Sequence, residues 1–84
     1  MEVISWNNHM LNRNGRAAIM RAEERIAKAY ARYLNGRPSE RGSLRVPVAL
    51  NVGSYRLMFS EDGIAIMKYR PMAGTVSEVG EVRL

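Results

Sequence analysis

Few side chains in this sequence are suited to covalent chemistry. The one histidine, His9, lies in Asn7-Asn8-His9-Met10-Leu11-Asn12, without the second histidine or nearby acid that metal-assisted hydrolysis needs. There is no cysteine, which removes thiolate nucleophiles, thiolate metal ligands and disulfide frameworks together. Glu61 and Asp62 are adjacent carboxylates, but they precede Gly63, where acidic residues serve turn geometry. Neither Asn35-Gly36 nor Gly53 has the glycine spacing and following Lys-Ser or Lys-Thr of a phosphate loop. No catalytic, metal or cofactor set emerges, so the chain is read as a non-enzyme without a small-molecule substrate.

Charge is the stronger signal. The net charge is +5, and it is unevenly placed: residues 1–45 hold nine basic residues against four acidic ones, whereas residues 46–84 hold four of each. Eleven of the thirteen basic residues are Arg, whose planar guanidinium suits bidentate contact with carboxylate or phosphate. Arg21, Arg25, Lys28 and Arg32 are spaced four, three and four, which gathers them on one stripe of a helix. Arg16 and Arg37 extend that stripe at either end, with Arg13 and Arg41 beyond them. The stripe is read either as a solvated face or as an anion-binding ridge for nucleic acid or an acidic protein surface. Four to six phosphate contacts would give a slope of log affinity on log salt of roughly −4 to −5 on a duplex. Glu23 and Glu24 on the same helix, and the lack of a recognised reader motif, count against nucleic acid.

The elements that position these residues follow from periodicity. Residues 1–13 are expected to form an N-terminal arm, within which Val3 to Arg13 fits a strand, a short helical turn or an extended segment equally. Asn14 is placed as an N-cap, and a single helix is expected over 14–35, with Asn35-Gly36 as a left-handed stop and Pro38 preventing continuation. Ile19, Ala22, Ile26, Ala29, Tyr30 and Tyr33 fall within one apolar stripe that must face a core. Past Ser43 the period becomes two: Leu44, Val46, Val48, Leu50 and Val52 alternate with Arg45, Pro47, Ala49 and Asn51. Gly53-Ser54 predicts a two-residue type II′ turn, pairing Val52 with Tyr55 and Leu50 with Leu57. Pro47 then fits only if this strand lies at a sheet edge. A three-residue turn at Glu61-Asp62-Gly63 pairs Leu57 with Met67 and Tyr55 with Tyr69, and all four tyrosines are expected on the core side. Thr75 to Leu84 supplies a weaker fourth strand with a bulge at Gly80. The expected fold is α+β, one long helix packed on a three- to four-stranded antiparallel meander over 44–84, in one two-layer domain spanning 1–84.

That register gives the sheet an unusual outer face. Ala49, Met58, Ile64 and Ile66 form an apolar centre, with Arg56 and Lys68 at its margin. Burying Met58, Ile64 and Ile66 would contribute about 5–8 kcal/mol, a large part of a small domain's stability. The cover is expected to be the N-terminal arm, through Ile4, Trp6, Met10 and Leu11, or a second copy of the chain, or another protein. The leading functional expectation is a small binding protein that regulates or inhibits a larger partner by protein contact, as phage and mobile-element antagonists of host machinery do. Direct nucleic-acid binding by the basic helix face is the alternative. No stretch approaches the roughly 18 apolar residues of a membrane span, and the first residues lack a leader pattern. A cytoplasmic location is expected, the host cytoplasm if the chain is viral.

Overall fold

A computed structural model describes residues 1–84 and has the order β1 (Glu2–Ser5), α1 (Arg13–Arg21), α2 (Glu23–Asn35), a 3-10 turn (Pro38–Glu40), β2 (Ala49–Val52), β3 (Tyr55–Ser60), β4 (Gly63–Arg70) and β5 (Thr75–Arg83). The α+β class and the antiparallel sheet are as expected. The details differ. The sheet has five strands in the order β1-β5-β4-β3-β2 and all pairings are antiparallel.

The helical region is capped by Asn12, not Asn14: the Asn12 side-chain oxygen accepts from the Gly15 amide at 2.9 Å. Nor is it one helix. At Ala22 the backbone turns to φ −93° and ψ 12°, and its amide donates to Ile19 O at 3.0 Å, a tightened turn that separates α1 from α2. No Gly or Pro stands there, so composition gives no warning of the break. The helix also stops without a left-handed residue. Gly36 is extended at φ −74°, and its role is clearance, because a Cβ would lie 2.7 Å from a methyl of Val46. Val46 is buried there and bridged to Arg41, while Leu44 is fully exposed, and the regular strand begins at Ala49 after Val48 O accepts from Phe59 N at 2.8 Å.

Both helices lie on one side of the sheet. Ile19 from α1 and Ile26 and Tyr33 from α2 meet Leu57, Phe59, Ile64, Ile66, Val79 and Val82 in one core. Tyr30, Tyr33 and Phe59 form an aromatic cluster with ring centroids 5.4–6.1 Å apart. Tyr30 also donates from its hydroxyl to Ser60 O at 2.7 Å, tying α2 to the end of β3.

The first hairpin matches expectation: Val52 pairs with Tyr55, Leu50 with Leu57 and Ala49 with Met58, and Gly53 has φ +58°. The edge position of β2 accommodates Pro47. The second hairpin is shifted by one residue. Ser60 pairs with Gly63 across a two-residue Glu61-Asp62 turn, so Phe59 faces Ile64, Leu57 faces Ile66 and Tyr55 faces Lys68. This slip reverses every side chain of β4 relative to the three-residue turn. The physical reason is size. One parity of β4 offers Ile64 and Ile66 to the core and the other offers Ala65 and Met67, and two large β-branched side chains gain more from complete burial than an alanine and a methionine. Lys68 follows them inward because it can reach out again. Its ammonium lies 5.1 Å from the Tyr55 ring centroid and donates to Met10 O at 3.3 Å.

Strand β5 is not a weak addition. It lies between β4 and β1, and Val79 and Val82 are buried. A bulge falls beside Gly80, where Ile66 pairs with Gly80 but Met67 pairs with Glu78, leaving Val79 as the extra residue. The arm forms edge strand β1 and then turns to the helix side, where Leu11 is fully buried and its carbonyl accepts from Ser5 Oγ at 2.8 Å. It does not cross the outer face.

Candidate functional site

Alternation along the strands, read with the observed pairing, defines the outer face row by row. One row runs Ile4, Glu81, Ala65, Met58, Ala49. The next runs Glu78, Met67, Arg56, Asn51, and beyond it Val76 lies beside Tyr69. Trp6 continues the outward phase of Ile4, held by its amide donating to Val79 O at 2.9 Å, and lines a shallow depression with Ala65, Glu78 and Glu81. Neither helix covers these residues. Met58, Ala65 and Met67 are half-buried by their neighbours alone, while Trp6, Tyr69 and Val76 are 55%, 57% and 60% exposed.

Of the residues expected on this surface, Ala49, Arg56 and Met58 lie on it. Ile64, Ile66 and Lys68 do not: both isoleucines belong to the core and Lys68 points to the helix side. Their places are taken by Ala65 and Met67, and the patch is extended by Ile4, Trp6, Tyr69 and Val76. Tyr69 thus leaves the core side to which periodicity assigns it. The signal that could have found these residues is the Ile64-x-Ile66 spacing, had the volume of the two isoleucines been weighed against Ala65 and Met67.

Charged side chains stand among the apolar ones on β3 and β5. Arg56 donates to Asn51 Oδ1 at 3.3 Å, and Glu81 pairs with Arg83 at 2.9 Å. Glu78 is exposed and forms no ion pair.

No family model, curated protein or solved structure matches the chain. The site has therefore to be read from its own chemistry.

The basic residues are placed differently from the apolar ones. Arg21, Arg25, Lys28, Arg32 and Arg37 are all exposed, yet two of them already have partners. Arg25 donates to Asn51 O at 3.1 Å, fastening α2 to the edge strand, and Lys28 pairs with Glu24 at 3.2 Å. Arg16 is only half-exposed and donates to Asn8 Oδ1 and Leu11 O, both at 3.2 Å, holding the loop before α1. Arg41 stacks 4.4 Å from the Tyr33 ring centroid and donates to Glu61 at 2.9 Å, which holds its guanidinium above the ordinary pKa of arginine. The break at Ala22 also falls between Arg21 and the three basic residues on α2.

Titratable chemistry is sparse. His9 is exposed in a loop where its amide donates to Asn7 Oδ1 at 3.1 Å. No group of three or more His, Cys, Asp or Glu residues converges to hold a metal. A second depression, beside Tyr30, Asp62, Glu81 and Arg83, lies at the end of the sheet. Burial there pushes the Tyr30 hydroxyl above tyrosine's ordinary pKa, with smaller upward contributions from Tyr33, Asp62 and Glu61. No helix is long and apolar enough to cross a membrane.

Proposed function

We propose that the protein is a non-catalytic protein-binding module whose working surface is the outer face of the sheet. The observation that carries this reading is the group of Trp6, Met58, Ala65, Met67, Tyr69 and Val76 spread over neighbouring rows of the face opposite the helices. A solvated antiparallel face is ordinarily mostly polar. Methionine and aromatic side chains are the ones enriched at interfaces, and Arg56, Glu78 and Glu81 standing among them give the face a charge pattern a partner can match. Met58 and Met67 add adaptability, because an unbranched thioether repacks against varied shapes. A module of this kind acts by occupying its partner's surface, as a small regulator or inhibitor does.

Nucleic-acid binding by the helix layer is supported less well. Arg16, Arg25 and Lys28 already serve internal contacts, and the tyrosines of α2 are packed against Phe59 instead of offering their ring faces to bases.

The test pairs two variants whose folding is first checked by circular dichroism. Met58→Glu combined with Met67→Glu should abolish association with any protein that co-purifies with the wild-type chain. Arg32→Glu should leave that association in place. Unchanged association in the methionine variant, together with salt-sensitive retention of DNA or RNA that Arg32→Glu weakens, would transfer the function to the helix layer.

A further inference from the structure

We propose that the occupant of the outer face is a second copy of this chain, packed sheet against sheet about a two-fold axis running along β4. This assignment rests on reading that face as a binding surface. Its basis is the charge order of one row. Arg56 on β3 and Glu78 on β5 both pair with Met67 on β4, so they flank the central methionine on opposite sides. Neighbouring strands are about 4.8 Å apart, which sets the two charges at near-equal distances from β4.

A two-fold axis along β4 lays β3 of one copy over β5 of the other. Arg56 then faces Glu78 of the second copy, the same pair forms again on the far side, and Met67 meets Met67 on the axis. This is the self-complementarity that an isologous interface requires. A two-fold axis across the strands would instead lay β3 on β3 and β5 on β5, setting like charges together. The row therefore selects, of the two two-fold ways of facing the sheets, the one in which β4 of each copy runs parallel to β4 of the other. In the neighbouring row Glu81 is already neutralised by Arg83 at 2.9 Å, so Met58 of the second copy meets a paired carboxylate and not an isolated one. Glu78 has no ion-pair partner within its own chain, and Arg56 has only the Asn51 amide oxygen at 3.3 Å.

The five strands hold 31 residues, β1 and β2 only four each, which at about 3.3 Å by 4.8 Å per residue makes a face of roughly 500 Å². Against the roughly 800 Å² per partner of a standard interface this is small, the size of a concentration-dependent dimer. Aligned packing of two twisted sheets, about 10 Å apart, then gives a helix–sheet–sheet–helix sandwich with the basic helices outermost.

The experiment is solution mass by light scattering on the full chain across a concentration series, with circular dichroism confirming that each variant folds. The wild type should run at about twice its 9.5 kDa mass. Arg56→Glu alone and Glu78→Arg alone each place like charges opposite one another twice, and each should weaken dimerisation by at least about tenfold. An equimolar mixture of the two variants should regain the dimer, because Glu at 56 of one chain then faces Arg at 78 of the other while the remaining native pair is kept. A wild type that stays monomeric throughout, single variants that dimerise unchanged, or a mixture no better than its components would each overturn the assignment. If the chain is monomeric but Met58→Glu with Met67→Glu still releases a heterologous protein, the second copy is refuted and the binding surface stands. If the methionine variant changes neither mass nor association, both readings fall.

Discussion

The two faces of strand β4 differ by a single step in phase and obey different rules. Inward, Ile64 and Ile66 are buried to 3% and 0% exposure, and Lys68 escapes by reaching the Met10 carbonyl over the Tyr55 ring. Outward, Ala65 and Met67 are half-covered by their neighbours and Tyr69 is more than half exposed. Both sides are apolar at the centre, so hydrophobicity alone does not say which one faces the helices. Volume and branching do. The inner face takes side chains that fill space in fixed rotamers, while the outer face keeps flexible and aromatic ones that can meet a surface formed elsewhere. One face is spent on folding the chain, and the other remains available for association.

The comparison breaks most decisively at Ile66. Ile66→Ala should cost about 2–5 kcal/mol, since a completely buried isoleucine leaves a cavity among Leu57, Val79 and the helices. In chemical denaturation the unfolding free energy should fall by that amount at every protein concentration. Met67→Ala, one residue away, should leave the dilute chain within about 1 kcal/mol of wild type, and any further loss should appear only as concentration rises. Equal losses for the two variants at all concentrations would mean that the faces are not distinct.

Tyr55 gives a smaller contrast on the inner side. Its hydroxyl donates to Met10 O at 2.9 Å beneath Gly15, where an added Cβ would collide with it, so it joins Lys68 and Ser5 in tying the loop before α1 to the sheet. Tyr55→Phe should lower stability by about 1 kcal/mol, the usual net worth of a hydrogen bond, with the solution mass unchanged.

These contacts also mark how far the sequence could be read. The Val52 to Tyr55 turn and the whole β2–β3 register were legible, because Gly53-Ser54 fits one turn type and the alternation of Val48, Leu50 and Val52 leaves one parity open. The β3–β4 register was not, because Glu61-Asp62-Gly63 accommodates two loop lengths and β4 is apolar on both sides. Since Ile64, Ile66 and Lys68 hang on that register, they passed from the candidate surface to the helix side together, while Ala49, Arg56 and Met58 on the better-determined hairpin kept their places. The strand character of Glu2–Ser5 was one of three open readings, for a different reason. It forms only by pairing with β5, at the opposite end of the chain, and a four-residue segment carries too little periodicity to declare itself. The break at Ala22 likewise has no local residue that imposes it.

Tyr30 tests the rim where the helices meet the end of the sheet. Burial raises its hydroxyl pKa above the ordinary 10.0, with Tyr33, Asp62 and Glu61 adding to the shift, and its proton is donated to Ser60 O. The neutral form is thus favoured more in the folded chain than in the unfolded one. The resulting stability is fully present below pH 10 and is lost as pH rises from there through the folded pKa. A spectrophotometric tyrosine titration should therefore contain one late ionisation that disappears in Tyr30→Phe, and that variant should lose less stability on alkalinisation than wild type. If the late ionisation persists in Tyr30→Phe, the Tyr30 environment is not as tight as the 2.7 Å hydrogen bond implies.

The smallest effect is expected where the outer sheet face is set against the basic helix layer. Lys28 and Glu24 form an i,i+4 pair with both side chains more than three-quarters exposed, a geometry worth about 0.3–0.5 kcal/mol at low salt and less when screened. Lys28→Ala should lower the unfolding free energy by no more than that, and the loss should shrink further in high salt. It should also leave solution mass and partner association unchanged, because α2 lies on the opposite side of the sheet from Met58 and Met67. The sheet face predicts the reverse pattern for Arg56→Glu, with little change in the stability of the dilute chain and a large change in association. A Lys28→Ala variant that altered association as strongly as Arg56→Glu would show that the helix layer takes part in binding, and the division of labour between the two sides of the sheet would fail.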